Sequence, residues 1–455
     1  MRTLVRKFAA LILAFLFGAA ITVNTAFARE FAIDLKEKVS YVNLDYFDRF
    51  GDELLKSYIL KAVENNHSAR QASYKSEEFR QQVKYSFGAE LPSLSVSPTY
   101  LGIKGINDGG FAGLPKNTFL LPFIVSYEPD FLLKNRDKTR SVKKIYEGVK
   151  FQEQTAYIAL ASDVATLYVN ILKTNKMLEL QNEFVGANEK YLAHAQRKLA
   201  RGTISQSELN DYAARLKRAQ ADLESIEKSK SILLTQFALL LGEAPGTPNT
   251  TYEFGKFEDL IVANAPEEIP SDVIFSRPDV LAIERQLDSA KIDITVARKE
   301  FLPRFNLLGS YTFTTIGPGN FFGSNSSIAS VLAGATQDIF KGGQKVANLK
   351  MKKAKYMELF EQYKQIELQA LKDVNDALLQ LKFDDKITLE SFEELNYQQN
   401  SLSRGAKRLS RGVISEPDYL TQKMASLEAA QNHLNQKTNQ IIDNFTLYKA
   451  VGGKL

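Results

Sequence analysis

The 455-residue sequence contains no cysteine and no tryptophan, and only three histidines, His67, His194 and His433. Without cysteine there is no disulfide, so burial, a ligand or oligomerisation must hold a secreted fold of this size. The absence of cysteine also excludes a lipid-bearing cysteine at the mature N-terminus. The histidines are far apart and have no thiolate or carboxylate at ligand spacing, so we expect no metal site.

Motifs for phosphate binding and nucleophilic catalysis are missing as well. The sequence has no nucleophile elbow, no P-loop and no H-E-x-x-H metal motif. Gly342-Gly343 follows a predicted strand, but no lysine comes after it at phosphate-loop spacing. We therefore expect neither a catalytic residue nor a cofactor.

The first 28 residues have the pattern of a secretory signal peptide. Arg2, Arg6 and Lys7 precede an apolar run at 8–23, and the AFA sequence at 26–28 is typical of a cleavage site. The alternative is a retained membrane anchor, although the run is short for a spanning helix of ~20 residues. Removing these three cations lowers the net charge from +5 to +2. This leaves no concentrated basic face, so we expect no nucleic-acid partner.

Two unlike segments of the sequence recur at almost the same distance. RKLARGTIS at 197–205 returns as KRLSRGVIS at 407–415, an offset of 210 residues. LPSLSVSPTY at 91–100 returns as LPRFNLLGSY at 302–311, an offset of 211 residues. Because a strand-like and a helix-like segment keep the same spacing, the sequence predicts a tandem duplication.

Each copy is predicted to end in a pair of long antiparallel helices. About 60 uninterrupted helical residues form a rod of ~90 Å, too long for a single globule. Gly202 and Gly412 mark the chain reversals, and Ser205 or Ser207 and Ser415 are candidate N-caps. Apolar residues recur at helical or heptad spacing, which predicts a buried seam on each copy. The seam residues are Tyr157, Ala161, Val164, Tyr168 and Ile171 on the first ascending helix, Leu209, Tyr212, Leu216, Ala219, Leu223 and Ile226 on the first descending helix, and Leu420, Leu427, Leu434, Ile441 and Tyr448 on the second descending helix.

Each copy also contains two predicted strands in which polar and apolar residues alternate. The alternation covers 93–100, 118–127 and 305–314, and a weaker, alanine-rich fourth strand lies near 327–340. Strands of about ten residues with this alternation are typical of outer-membrane barrels, although a soluble, half-buried sheet has the same pattern. Glycine- and asparagine-rich segments at 102–117 and 316–325 are predicted to be external loops.

Four strands per chain cannot close a barrel. Lipid does not tolerate open strand edges, and known barrels begin at about eight strands. Several protomers must therefore contribute, with two copies supplying eight strands and three copies supplying twelve. The long helices attached to the strands would continue the wall as a tube, so the predicted shape is a duct.

The order of helix, strand hairpin and long helical hairpin, followed by the same order again, resembles that of the TolC-like outer-membrane efflux proteins, also called outer membrane factors. The resemblance covers essentially the whole mature chain. It implies an α+β membrane protein, a homotrimer with one 12-stranded β-barrel continued by an α-helical periplasmic tunnel. The segments that carry it, besides the two Arg-Gly tips, are SRPDV at 276–280, LP at 302–303, QDIFKGG at 337–343 and LYKAVGG at 447–453.

The resemblance also implies partners and a location. It places the barrel in the lipid of the outer membrane of a Gram-negative-type bacterium and the helices in the periplasm. The partners would be a periplasmic adaptor (membrane fusion) protein and an inner-membrane pump of the RND, ABC or MFS class. The cargo would be small molecules or proteins, and drug efflux and protein secretion predict the same sequence features.

The expected division of the chain combines the duplication with the resemblance. It consists of a signal peptide at 1–28, a first repeat at 29–241, a linker at 242–272 and a second repeat at 273–455. The β-hairpins are expected at about 91–129 and 302–340, and the long helical hairpins at about 135–241 and 345–450. The resemblance places the proline-rich linker in a belt around the middle of the tunnel.

The resemblance implies a periplasmic entrance that acidic residues narrow at the hairpin tips. Six residues after the tip glycines stand Asp418 and, in the first copy, Glu208, while Thr421 replaces the second aspartate of the family. This substitution leaves open whether the entrance is closed at rest. Arg408 and Arg411 are candidate partners that hold it shut.

Two further expectations concern the tips. Asp418 is equally well explained as a first-turn carboxylate that the helix dipole favours, and this role can coexist with a gate. We expect contact with the adaptor at the tips themselves, at Arg201, Gly202, Ser205, Gly412 and Ser415.

The segment leading from the second strand into its helix departs from the family pattern. Residues 128–133 read EPDFLL, whereas the family usually has Glu-x-Asp-Leu-Phe-Gly, so Leu133 stands in place of the glycine. This predicts a changed passage from strand to helix. The competing interpretation of the whole chain is a soluble periplasmic coiled-coil scaffold or adaptor, which would be monomeric in the periplasm without detergent.

Overall fold

A computed structural model describes residues 33–102, 117–246, 252–262, 266, 268–316 and 320–454. The expected signal peptide at 1–28 lies outside these residues, as do most of the first expected external loop and residues 317–319 of the second. The chain forms two compact units. Among the described residues, the helical unit comprises those within 33–74, 152–279 and 367–454, and the strand unit those within 75–151 and 280–366.

Helices form most of the described chain, and the long ones have equal lengths in the two copies. The ascending helices have 67 residues each and the descending helices 35 each. The helices are α1 Leu35–Val39, α2 Leu44–Asp48, α3 Glu53–Asn65, α4 His67–Gly88, α5 Lys134–Ala200, α6 Gln206–Leu240, α7 Ser271–Phe275, α8 Pro278–Lys299, α9 Gln344–Ser410 and α10 Glu416–Ala450.

The core of the helical unit lies along the predicted seams of α5 and α10. All ten seam residues of α5 and α10 are buried, each less than a tenth exposed. The short helix α2 closes one end of this core, where Tyr46 stacks on Tyr448 with ring centroids 4.8 Å apart. The hydroxyl of Tyr46 also donates to the Asn444 carbonyl at 2.8 Å. The predicted seams of α5 and α10 are therefore confirmed. On α6 only Ala219 of the six predicted seam residues is buried, and the other five are half-buried in the single chain.

The strand unit contains one antiparallel sheet. The first predicted strand is broken in two, and both pieces pair with the next strand along the chain. The prediction of one continuous strand at 93–100 was wrong because Pro98 has no N–H to donate to the ladder. The predicted fourth strand also ends earlier, at Thr336. The strands are β1 Ser93–Val96, β2 Thr99–Gly102, β3 Asn117–Tyr127, β4 Arg304–Thr314 and β5 Ser327–Thr336.

The pairing register gathers the apolar residues on one face of the sheet. Phe123 lies opposite both Val96 and Tyr311, and residues paired in this way point to the same side. On the other face, the hydroxyls of Ser310 and Ser330 lie 2.8 Å apart. The predicted alternation is confirmed, with a few leucines and isoleucines on the polar face. The apolar face comprises Leu94, Val96, Tyr100, Phe119, Leu121, Phe123, Val125, Tyr127, Phe305, Leu307, Tyr311, Phe313, Ala329, Val331, Ala333 and Ala335.

Both edges of this sheet are open in a single chain. The strand order runs from β1 and β2 through β3 and β4 to β5. Within the described residues, neither the β1–β2 edge nor β5 has a second neighbouring strand. The backbone groups along these edges therefore lack ladder partners within the protomer.

The strand-to-helix turns of the two copies end in the same left-handed conformation but differ one residue earlier. Leu133 has φ 55° and Gly343, 210 residues later, has φ 80°. A helix begins one residue after each. Gly342 is left-handed as well, at φ 54°, whereas its counterpart Leu132 is not, so the expected change in the passage from strand to helix stays a prediction. The carboxylate of Asp130 fixes the turn by accepting the N–H groups of Lys134 and Arg136 at 2.7 and 2.8 Å.

Candidate functional site at the helical hairpin tips

Both helical hairpins reverse direction through the same backbone turn. Gly202 and Gly412 have φ values of 69° and 66°, in the left-handed region that glycine adopts at low cost. The N–H of Val413 donates to the Arg408 carbonyl at 2.9 Å, and the equivalent bond of the first tip is 3.0 Å. This is the bond pattern of a helix ending in a Schellman turn. The predicted reversals at the two glycines are confirmed.

Each descending helix begins with a capping box. The Ser205 hydroxyl accepts the Glu208 N–H at 3.2 Å, and the Glu208 carboxylate accepts the Ser205 N–H at 2.7 Å. Ser415 and Asp418 repeat both bonds at 3.3 and 3.2 Å. Of the candidate caps, Ser205 and Ser415 therefore fill the role and Ser207 does not. Each box satisfies two N–H groups that the helix itself cannot bond.

The capping boxes hold both first-turn carboxyls in their charged form. Hydrogen bonds from Ser415, first from its hydroxyl and then from its backbone N–H, lower the pKa of Asp418. The Ser205 backbone N–H and hydroxyl lower the pKa of Glu208 in the same way. Lys198 lowers the pKa of both carboxyls further through its positive charge. Each tip therefore presents an exposed anion at neutral pH.

The other residues predicted at the entrance have different surroundings. The Thr421 hydroxyl donates to the Pro417 carbonyl at 3.0 Å and adds no charge to the tip. Within the described parts of the chain, no ion pair joins the predicted partners Arg408 and Arg411 to either first-turn carboxylate. Within one protomer, each carboxylate instead accepts hydrogen bonds from the N-cap serine of its own helix.

A contact that the sequence analysis missed connects the first hairpin to the tip of the second. The Nε2 atom of His194, on α5, lies 2.7 Å from Oε2 of Glu416, the first residue of α10. Two polar contacts follow farther from the tip, an ion pair of 3.0 Å from Lys423 to Glu183 and a 2.9 Å bond from Gln431 to Gln181. His194 and Glu416 are 222 residues apart. No local spacing in the sequence signals such a contact.

The chain matches known proteins over most of its length. Residues 59–243 and 269–453, two segments offset by 210 residues, match the profile of the outer membrane efflux proteins. The chain belongs to this family. It is therefore an outer-membrane efflux channel, an exit duct of an efflux system, and the soluble scaffold is not favoured.

Named relatives are similar along nearly the whole chain. The cation efflux system protein CusC of Escherichia coli K12 is 23% identical over 421 residues, 91% of this chain and 90% of that protein. The probable outer membrane lipoprotein SilC of Salmonella typhimurium is 24% identical over 419 residues, 91% and 89% of the two chains. The solved CmeC outer membrane channel of Campylobacter jejuni has a TM-score of 0.79 at 21% identity and covers 90% of this chain and 88% of its own. This solved channel shares the mixed helical and strand fold of the chain.

Proposed function

We propose that three copies of this chain form one exit duct, a 12-stranded β-barrel continued by an α-helical periplasmic tunnel. The observation that carries the proposal is the open sheet, which has one apolar face and two unpaired edges. In lipid, the backbone groups at those edges need partners from another chain. The chain supplies four strand positions, since β1 and β2 lie end to end on β3, so three copies reach twelve.

Exposed apolar side chains on the second ascending helix support assembly with further copies. Leu368, Phe383, Leu389 and Tyr397 of α9 are each more than half exposed in the single chain. Their spacing places them on one side of α9, and several large exposed apolar side chains on one side of a helix favour an interface over a solvated face. A neighbouring protomer would cover it, as a helical tunnel of several chains requires.

The division of the chain follows from the same proposal. It comprises a signal peptide at 1–28, repeats at 29–241 and 273–455, and a linker at 242–272 around the middle of the tunnel. With no cysteine in the sequence, the protein carries no thioether-linked lipid and is held in the outer membrane by the barrel alone. A relative such as SilC, named a lipoprotein, would differ in this respect.

The proposed partners are a periplasmic adaptor at the hairpin tips and an inner-membrane pump of the RND, ABC or MFS class. The two exposed Arg-Gly turns, which include Arg201, Gly202 and Gly412, are the proposed contact surface for the adaptor. The driving force comes from the pump, since a passive duct needs no catalytic group. The cargo is a small molecule or a protein. CusC is named for cation efflux, and TtgI of Pseudomonas putida for toluene efflux.

In the proposed duct, Asp418 and Glu208 form the acidic gate at the periplasmic entrance. The capping boxes support this role because they keep both carboxylates charged and fixed in the first helical turn. Arg408 and Arg411 are available to link neighbouring protomers while the entrance is closed. Opening would separate these tips.

The test is planar-bilayer conductance of the purified protein, after its trimeric mass in detergent has been measured. We expect small, cation-biased channels, and the double variant Asp418→Ala with Glu208→Ala should widen them and remove the bias. Ser415→Ala is the matched control, because it breaks one cap while keeping the carboxylate, so the bias should remain. Unchanged conductance in the double variant would overturn the gate. Folded protein that forms no channel would overturn the duct.

A further inference from the structure

Three cations surround one carboxylate at the helix-side end of the sheet. Oδ2 of Asp338 lies 3.0 Å from Nζ of Lys341 and 3.3 Å from Nζ of Lys345. A guanidinium nitrogen of Arg304, the first residue of β4, lies 3.9 Å from the same oxygen. Within the described parts of the chain, these three cations form no other ion pair. One carboxylate balances only one of them, so two positive charges remain in excess.

Two large apolar residues within this cluster are almost fully exposed. Ile339 is 98% exposed and Phe340 is 86% exposed, and both stand between Asp338 and Lys341 in the chain. Exposed apolar side chains that alternate with cations are typical of a surface in the interface of a lipid bilayer. There the apolar side chains enter the acyl region, while the cations stay among the headgroups.

The position of the cluster along the strands agrees with such an interface. Arg304 pairs with Thr336, the last residue of β5, so the cations lie where the strands end. The next residue of β4, Phe305, belongs to the apolar face of the sheet, and this face contacts lipid in the proposed barrel. The cluster therefore lies at the level where hydrocarbon gives way to headgroups, the level at which membrane proteins place their anchoring cations and aromatic rings.

A neighbouring strand does not cover apolar side chains at this end of the sheet. Phe131 follows β3, which already has β4 beside it, and its ring contacts the Phe305 ring with centroids 5.4 Å apart. Phe131 is nevertheless 73% exposed. In the proposed trimer β5 would gain one neighbouring strand of the same kind, so Ile339 and Phe340 should stay exposed to lipid.

The duplicated chain has this combination of residues only once. At the offset of 210 residues, the counterparts of Lys341 and Lys345 are Phe131 and Asn135, and those of Ile339 and Phe340 are Pro129 and Asp130. The first copy thus passes from strand to helix without the cations and without the apolar pair. The passage itself does not require them, which favours a ligand as the reason for their presence.

We propose that Arg304, Lys341 and Lys345 bind the phosphate of an anionic glycerophospholipid, while Ile339 and Phe340 enter its acyl region. These five residues are called the rim site below. Lysine and arginine side chains close to a bilayer surface attract anionic headgroups, and the adjacent apolar pair adds a second, non-electrostatic contribution. The proposal rests on the proposed duct, because it requires the sheet to span the outer membrane, and it names the lipid that the periplasmic rim of the barrel selects.

The first experiment asks whether the rim site lies in lipid. Because the sequence has no tryptophan, one introduced tryptophan reports only its own surroundings. Phe340→Trp places it in the rim site, Phe123→Trp on the apolar face within β3, and Tyr397→Trp on α9 in the helical unit. In vesicles of phosphatidylcholine with acyl chains brominated near the headgroup, fluorescence should be quenched in the first two variants and not in the third.

The second experiment measures the preference for an anionic headgroup. Brominated phosphatidylglycerol is mixed with unbrominated phosphatidylcholine, and the quenching of Phe340→Trp at each ratio gives the relative binding constant of the two lipids. Each cation near the surface contributes about a fivefold gain, so the two excess charges predict a preference of roughly ten- to thirtyfold. Adding Arg304→Gln or Lys341→Gln should lower the preference about fivefold, whereas Arg136→Gln, which removes an exposed cation of the first copy, should not change it.

The outcomes separate failure of the rim site from failure of the duct. Quenching in Phe123→Trp without quenching in Phe340→Trp would overturn the rim site and show that protein covers it, while the barrel would stand. Quenching in Phe340→Trp with equal binding of both lipids, or with no effect of the glutamine substitutions, would overturn the headgroup contact. No quenching in Phe123→Trp would contradict the barrel and with it the proposed duct.

Discussion

Replacing Leu133 with glycine should stabilise the protein, although it removes a large apolar side chain. Leu133 has φ 55°, and the left-handed conformation costs an L-residue about 1–2 kcal/mol. Glycine removes this strain but loses about 0.5–1 kcal/mol more to its freedom in the unfolded chain. The side chain is 48% exposed, so little buried contact is lost. The net gain should be about 0.5–1 kcal/mol per protomer.

The corresponding turn of the second copy provides the matched control. Gly343 has φ 80°, and no atom lies within 4 Å of the position where a Cβ would be placed. Gly343→Leu therefore introduces the same strain without a clash at its Cβ atom, and it should destabilise the protein by about 0.5–1 kcal/mol. The two substitutions are expected to have similar magnitudes and opposite signs.

Urea unfolding in detergent, followed by far-UV circular dichroism, measures both effects. The midpoint should rise for Leu133→Gly and fall for Gly343→Leu, with slopes unchanged, since neither substitution alters the surface exposed on unfolding. A lower midpoint for Leu133→Gly would refute the reasoning. It would show that the leucine side chain makes contacts worth more than the strain of its backbone.

Two further predictions concern charged groups of the helical unit. Burial, followed by contact with Asp384, raises the pKa of Asp443 to about 7 from its ordinary 3.8. The folded chain therefore keeps a proton that the unfolded chain releases, and stability should fall from about pH 4 to pH 7. In Asp443→Asn the urea midpoint should no longer fall over this pH range, whereas in the control Asp385→Asn it should fall as in the wild type. An unchanged fall in Asp443→Asn would contradict the assignment. The buried Arg277 donates hydrogen bonds to Asp279 at 2.7 Å and to a carbonyl near the end of α10. Arg277→Ala should lower the free energy of unfolding by about 3 kcal/mol and speed proteolysis of the C-terminal segment. Equal cleavage rates would show that Arg277 does not hold this segment in place.

Features with short sequence periods were predictable from the sequence. The predicted seams repeat every three, four or seven residues, and all of their residues on α5 and α10 are buried in the structure. The tip turns follow from Gly202 and Gly412, and the capping boxes from a serine three residues before an acid. In each case one local physical rule, helical periodicity or the satisfaction of helix-end N–H groups, decides the structure.

Features that depend on residues distant in sequence were not predictable. The stacking of Tyr46 on Tyr448 and the contact of His194 with Glu416 join segments hundreds of residues apart. The break at Pro98 could have been predicted from the sequence, because proline has no N–H to donate to a strand ladder. At Leu133, the hydrogen bonds that Asp130 accepts hold the leucine in the left-handed conformation against its backbone preference.

The capping boxes and the proposed gate make compatible demands on the tip carboxylates. Asp418 bonds Ser415 only through Oδ2, and Glu208 bonds Ser205 only through Oε2, among the contacts of the described residues. The second oxygen of each carboxylate and its full charge remain exposed. The cap thus fixes the side-chain rotamer and with it the position of this charge. Thr421 contributes a neutral hydroxyl that is already bonded to Pro417. In a trimer, the second tips would supply three negative charges where a family member with both aspartates supplies six. The electrostatic barrier at rest should then be weaker than in a family member with both aspartates.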